Sequence, residues 1–274
     1  MINNKKTNCK PFLRWAGGKN WLVKHLDYLV PRNGFRNYHE PFLGGGSIFL
    51  SLNPANTSFL SDLNKDLIDT FISVKNNPNK IIKVLETYKN KADFYYYLRN
   101  KQFEDPIEKA AQFIFLNQTS FNGIYRVNLK GEYNVPYAYR TKDFVQPNII
   151  KLVSNSLKKA ILFSGDFSIS QQNIKKNDFV FLDPPYTVSH NDNGFIKYNQ
   201  KLFSLDDQLR LSELIDFIKR KEAYYLLTNA THKTIAEIFD KGDVFISLNR
   251  ANVVGGIKAH RGYTTEYIFT NIKN

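Results

Sequence analysis

The stretch NYHEPFLGGGSIFLSLNPANTSFLSD, residues 37–62, decides the fold. Its opening residues 37–40 form a short extended run before Pro41, and FLGGGSIFL then sets three glycines ahead of an apolar segment. TSFLSD follows as a brief apolar strand that ends on Asp62. Strand, glycine-rich turn, helix and strand in that order open a doubly wound parallel sheet, which places this chain in the α/β class. The glycines let the backbone turn tightly and approach a ligand. They do not spell Gly-x-Gly-x-x-Gly, and no Lys-Ser or Lys-Thr pair follows as in a phosphate loop. Glu40 beside the turn repels a phosphate but accepts bonds from an ammonium. Asp62 closes the next strand, where an acid in such folds grips ribose hydroxyls. A nucleoside that carries an ammonium and no pyrophosphate fits both acids, and S-adenosyl-L-methionine is such a cofactor.

Outward from this core, residues 20–29 show apolar positions at helical spacing, stopped by Pro31 and Gly34. Residues 64–116 read mostly as helix, with candidates at 65–74, 80–88 and 107–116. So long a helical run exceeds a single crossover and predicts an inserted domain. The insert continues through NGIYRVNLKGEYNVP, where Lys130-Gly131 suits a hairpin turn between two short strands, and a further helix is expected over 147–158. Strands are expected again at 160–164, 178–183 and 222–228, with a helix at 205–219. Two late strands, VFISLNR and TTEYIFT, should form an antiparallel pair. The expected organisation is a first part of the catalytic and cofactor domain over 1–64, an inserted, mostly helical target-recognition domain over 65–158, and the second part of the catalytic domain over 159–274.

Composition narrows the function. The 274 residues carry 38 Lys and Arg against 25 Asp and Glu, a formal charge of +13. The excess is uneven: residues 1–60 hold eight basic and two acidic side chains, 61–160 sixteen and ten, and 161–274 fourteen and thirteen. Concentrated positive charge is the footprint expected for a polyanion, although a lysine-rich surface without a partner gives the same count. Hydrophobic residues at 42% and aromatics at 15% exclude a disordered scaffold. The single cysteine, Cys9, cannot pair within the chain and points to a reducing compartment, the cytoplasm. No segment has the roughly 18 apolar residues of a membrane span, and the first fifteen residues lack an apolar signal core. The five histidines have no metal-ligand spacing, so no metal is expected.

Asp183-Pro184-Pro185-Tyr186 follows the apolar FVFL and so hangs from the carboxyl end of a buried strand, where open sheets place their sites. Two prolines fix the backbone after the acid and hold the aromatic at a set distance. An aromatic beside an acceptor-rich acid suits a flipped base: the ring stacks, and the acid accepts from an exocyclic amine. Bonds from that amine to Asp183 and a proline carbonyl would localise its lone pair, which is catalysis by positioning and electrostatics. The bland reading of the same residues is a strand end followed by a rim aromatic.

Six segments in order, FLRWAGGK (12–19), EPFLGGGSIFL (40–50), Asp62-Leu63-Asn64, FNGIYRVNLKGEYNVPY (121–137), Gly165-Asp166-Phe167 and DPPY (183–186), resemble the DNA adenine methyltransferases of the GATC-modifying type. In that class, target recognition lies between the cofactor glycines and the catalytic tetrapeptide. The resemblance spans essentially the whole chain. It implies methyl transfer from S-adenosyl-L-methionine to the exocyclic amine of adenine in double-stranded DNA, with base flipping. By resemblance Trp15, Lys19, Phe42, Gly44, Asp62, Asp166, Phe167 and Asp183 bind the cofactor, and Asp183, Pro184 and Tyr186 serve catalysis. Asp166 could instead cap a helix starting near residue 168. Phe121, Asn122, Ile124, Arg126 and Pro136 match the recognition segment. There Arg126 would pair bidentately with guanine, Phe121 would wedge or stack at the site's edge, and Asn122 would address the base left behind. An ordinary ion pair between Arg126 and Glu132 is the alternative.

The chain departs from the family pattern over 250–266, a longer, basic, glycine-containing loop in which Lys258 and Arg261 are expected to meet phosphates. An RNA or protein-glutamine methyltransferase and a non-catalytic DNA-binding regulator are the alternatives to DNA adenine methylation. A large insert bearing a basic hairpin favours DNA over RNA or protein, and intact Asp62, Asp183 and Tyr186 favour an enzyme. A monomer is expected, and a cognate restriction endonuclease is a possible functional partner.

Overall fold

The computed structural model describes residues 9–140, 143–186, 203–251 and 263–274. The chain divides into two compact units, Met1–Val23 with Leu43–Asp166, and Lys24–Phe42 with Phe167–Asn274. Both are mixtures of strands and flanking helices, and the expected α/β class holds.

In the first unit the glycine turn leads into α2 (Ser47–Leu52), whose SIFLSL is almost wholly buried. Strand β2 (Ser58–Asp62) pairs in parallel with β3 (Ala160–Ser164), from Ser58 opposite Ala160 to Asp62 opposite Ser164. Between them run the helices α3 (Lys65–Asn76), α4 (Pro78–Thr87), α5 (Ala92–Asn100), α6 (Pro106–Thr119) and α7 (Pro147–Ser156). All of these starts but that of α5 have a local cause. Asn64 accepts from the Leu67 N–H and Asp105 from the N–H groups of Ile107 and Glu108, while α4, α6 and α7 each begin on proline. Leu67, Phe71, Val74, Ile81, Leu85, Ala111 and Phe115 are fully buried, so α3, α4 and α6 hold one helical core.

In the second unit β1 (Tyr38–Glu40) pairs in parallel with β4 (Phe179–Leu182), and β4 with β5 (Tyr224–Ala230). Strand β7 (Tyr263–Thr270) then lies antiparallel between β5 and β6 (Val244–Ala251). Helices α8 (Leu205–Arg220) and α9 (Lys233–Phe239) also belong to this unit. The α8 start is a full capping box, with Ser204 and Asp207 bonded reciprocally. All four residues of β4 are buried, as a strand covered on both faces requires.

Three expectations need correction. Residues 20–29 form not one helix but turns, a 3₁₀ turn (Val23–His25) and the single α-turn α1 (Leu26–Leu29), before Pro31. The segment around Lys130-Gly131 does fold back on itself, but through isolated bridges, Val127 with Tyr133 and Ser120 with Tyr137, rather than two strands. The helix expected over 147–158 ends at Ser156, and its last turn tightens to 3₁₀ over Leu157–Lys159.

Candidate active site

In the first unit the expected cofactor residues Trp15, Lys19, Gly44 and Asp62 lie around the glycine turn. Asp62 sits at the carboxyl end of β2, half-buried, and its two oxygens accept from different backbone N–H groups, Gly44 at 2.9 Å and Asn64 at 2.9 Å. Burial pushes this carboxyl above its ordinary value, and the N–H groups of Asn64, Gly44 and Leu63 oppose that only in part. Gly44 has φ +48°, and a Cβ there would lie 2.9 Å from Cδ1 and 3.0 Å from Nε1 of Trp15. The indole therefore lies directly on the glycine turn. Lys19 is buried, 4% exposed; its N–H donates to Ser47 Oγ at 3.1 Å and its ammonium to the Gly17 carbonyl at 3.2 Å. Asp166 follows β3 by two residues, and the Gly165 N–H donates to the Asp62 carbonyl at 3.0 Å, so Asp166 stands beside the Asp62 strand end.

The segment expected to read the target belongs to the same unit. Phe121, Asn122, Ile124, Arg126 and Pro136 are all exposed, with Phe121 at 52%. The loop beneath them is rigidly made. Asn122 adopts φ +54°, the Phe121 N–H donates to the Pro136 carbonyl at 2.9 Å, and Asn128 closes the turn by accepting from Lys130 and Glu132 N–H groups. Arg126 does not pair with Glu132. Its Nε donates to Asn134 Oδ1 at 2.7 Å and one terminal nitrogen to the Asn134 carbonyl at 3.3 Å, directly across the hairpin. Two of five guanidinium donors are thus used to aim the side chain, which leaves three for a bidentate partner. Lys258 and Arg261 lie outside the described residues.

Two supports here escaped the sequence reading. Arg14 exchanges bonds with Asn117, N–H to Oδ1 at 2.7 Å and Nδ2 to carbonyl at 2.7 Å, and its guanidinium donates to the Ser120 carbonyl at 3.0 Å. Burial, then the charge of Arg140, lowers the Arg14 pKa. Gly123, at φ +62°, packs so close that a Cβ would fall 2.4 Å from Arg14 Cβ. Asn134 likewise carries no signal by itself, although its spacing from the Lys130 turn mirrors that of Arg126.

In the second unit Asp183 directly follows β4, and Thr228, at the matching point of β5, donates from Oγ1 to Asp183 Oδ1 at 2.8 Å. Pro184 is buried and Tyr186 half-buried, and the Tyr186 hydroxyl donates to Glu266 Oε2 at 2.5 Å. Glu266, on β7, is 1% exposed. It was not anticipated, because one glutamate in a late strand reads as the solvent-facing member of an alternating pair. The Phe42 ring stacks on Phe167 at 5.4 Å, and the Arg210 guanidinium stands 4.8 Å over Phe167. Glu40, 2% exposed, accepts from the Tyr38 hydroxyl at 2.7 Å. Among the described residues no group of His, Cys, Asp and Glu side chains forms a metal site.

A strand-end carboxylate bonded to a glycine turn, with an indole lying on that turn, is an arrangement that suits a nucleoside ligand. The chain belongs to the D12 class of N6 adenine-specific DNA methyltransferases, whose family model matches residues 15–253. It is 32% identical to the Type II methyltransferase M1.LlaDCHI of Lactococcus lactis subsp. cremoris, over 100% of this chain and 99% of that one. It is 34% identical to the Type II methyltransferase M.MjaIII of Methanocaldococcus jannaschii, over 81% and 84% of the two chains. Against a DNA adenine methylase of Haemophilus influenzae the identity is 33%, over 88% of each. The protein is an S-adenosylmethionine-dependent, adenine-specific DNA methyltransferase. No helix among the described residues is long and apolar enough to cross a membrane.

The first unit suits that cofactor. Asp62 has acceptor capacity beyond its bonds from the Gly44, Asn64 and Leu63 N–H groups, which a ribose hydroxyl can use, and the glycine turn has no Cβ between its backbone and the Trp15 ring.

Proposed function

We propose that this enzyme methylates the exocyclic amine of adenine within GATC in double-stranded DNA, after turning the base out of the duplex. The observation that carries the reading is Arg126: exposed, aimed by Asn134 and flanked by the exposed Phe121, Asn122, Ile124 and Pro136. In the major groove, three remaining guanidinium donors match the O6 and N7 acceptors of guanine. Phe121 takes the role of wedge, Asn122 addresses the unpaired partner base, and Lys258 and Arg261 meet phosphates. Residues 65–158 act as the target-recognition domain, inserted between catalytic parts 1–64 and 159–274.

Trp15, Lys19, Phe42, Gly44, Asp62, Asp166, Phe167 and Asp183 hold the cofactor, which when bound supplies an electrophilic methyl group. Asp183 accepts hydrogen from the adenine amine together with the Pro184 carbonyl, and Thr228 keeps that carboxylate oriented. Tyr186 stacks on the extruded base, with its ring direction set by Glu266. The names of the Type II relatives support a functional pairing with a restriction endonuclease. One short site and one catalytic centre suit a monomer, and a lone cysteine suits the cytoplasm.

The test is methylation of DNA carrying every four- to six-base context, with single-molecule mapping of modified adenines. Wild type should mark GATC, Arg126→Ala should spread to sites altered at the guanine, a loss of about 1–3 kcal/mol of discrimination, and Asp183→Ala should bind DNA without methylating it. A wild-type core other than GATC would refute the target. A uniform loss of activity at every site for Arg126→Ala would make Arg126 a phosphate or structural residue.

A further inference from the structure

Tyr125 stands between two residues of the recognition segment, Ile124 and Arg126, yet its side chain turns toward the cofactor turn. Its ring stacks on Trp15 at 6.0 Å and 25°, and on Phe113 at 5.4 Å and 30°, while Phe113 itself stacks on Trp15 at 6.4 Å and 21°. Its hydroxyl donates to Asp66 Oδ2 at 2.8 Å. Asp66 lies in the first turn of α3, whose cap Asn64 donates its N–H to Asp62. Trp15, on its other side, rests on Gly44, whose N–H also donates to Asp62. The contacts close into a ring: Asp62, Asn64, Asp66, Tyr125, Trp15, Gly44 and back to Asp62. Tyr133, across the hairpin from Val127, packs edge-on to Tyr125 at 5.8 Å and donates to the Ile124 carbonyl at 2.8 Å, so the ring is joined to both arms of the hairpin.

We infer that Tyr125 is a positioning residue that couples the two sites: seating the cofactor at Trp15, Gly44 and Asp62 sets the recognition hairpin, and a bound target duplex sets the cofactor seat in return. The physical reason is packing. An indole clamped between a glycine backbone and two rings cannot shift without moving Tyr125, and Tyr125 cannot shift without moving the backbone that carries Arg126. Reciprocity is then required, since each ligand must change the affinity of the other by the same factor. This inference rests on the cofactor and DNA sites proposed above.

The experiment is a four-sided binding cycle. Sinefungin, a cofactor analogue with no methyl to give, is titrated by calorimetry with and without a 20-base-pair GATC duplex, and the duplex is titrated with and without sinefungin. For wild type each ligand should tighten the other about tenfold, within the usual range of coupling between sites. Tyr125→Ala should cut that factor below about twofold, while Tyr125→Phe, which keeps the stack and loses the Asp66 bond, should fall between. Asp66→Ala, which removes the acceptor, should match Tyr125→Phe, and this keeps the idea testable if Tyr125→Ala does not fold. Trp15 emission, read in a Trp21→Phe background, should change on duplex addition in the parent and not in Tyr125→Ala. Wild-type factors near one, with methylation of GATC intact, would overturn the coupling and leave the function standing. Full coupling retained in Tyr125→Phe and Tyr125→Ala alike would overturn it too. Wild type that binds neither probe would overturn the function and the coupling together.

Discussion

Gly44→Ala probes the seat of the cofactor turn with two separable costs. The first is conformational: at φ +48° a side chain is strained, by about 1–3 kcal/mol. The second is steric. The new methyl would meet Trp15 Cδ1 at 2.9 Å and Nε1 at 3.0 Å, and the indole cannot retreat because Phe113 and Tyr125 are stacked against it. Overpacking of this kind costs about 1–3 kcal/mol, for a total of about 2–6 kcal/mol. Gly131→Ala isolates the first cost, since Gly131 has φ +80° and nothing within 4 Å of its Cβ position. Urea unfolding of both variants should therefore differ by the steric share. A double variant, Gly44→Ala with Trp15→Ala, should recover that share and show a favourable coupling of about 1–3 kcal/mol. Sinefungin affinity should fall in Gly44→Ala and be unchanged in Gly131→Ala. Additivity of the Gly44 and Trp15 changes to within about 0.5 kcal/mol would refute the reasoning, because contacting groups do not behave independently.

The raised Asp62 pKa sets a pH dependence whose sign differs for folding and binding. The folded chain holds the proton more tightly than an unfolded carboxyl of ordinary value 3.8, so stability from this group falls as pH rises from 3.8 through the folded pKa. Ribose hydroxyls need the ionised form, so sinefungin affinity should rise over that same span in wild type and stay flat in Asp62→Asn; parallel profiles would remove Asp62 from the cofactor site. Tyr186→Phe and Glu266→Gln act on one hydrogen bond, so each should lower kcat/KM about five- to tenfold, from a charge-assisted bond of about 1.5–3 kcal/mol partly replaced by water or amide. The double variant should be no worse than the poorer single one, and multiplied losses would show that Glu266 does not act through Tyr186.

The strand order of events along 37–62, the strand-end acids Asp62 and Asp183, and the helical insert were legible because each is local. A glycine turn between apolar runs, or an acid after FVFL, declares itself within a few residues. The two late strands were legible as the short runs VFISLNR and TTEYIFT, and β6 and β7 do pair antiparallel. The roles assigned to Trp15, Lys19 and the 121–136 residues came from resemblance, since a lone tryptophan or arginine has no period to read.

What tertiary structure alone decided is which partner holds each functional group. Asn134 aims Arg126 across a turn, Thr228 holds Asp183 from a neighbouring strand, Glu266 meets Tyr186 from 80 residues away, and Arg14 reaches Asn117 over 103 residues. A hydrogen bond needs its donor and acceptor within about 3 Å, and sequence distance says nothing about that separation until the strands are in register. Tyr125 makes the point sharply. In sequence it is one aromatic among residues 121–137, and only the stack with Trp15 and the bond to Asp66 turn it toward the glycine turn, because side-chain direction follows from the backbone path of a loop that has no repeating geometry.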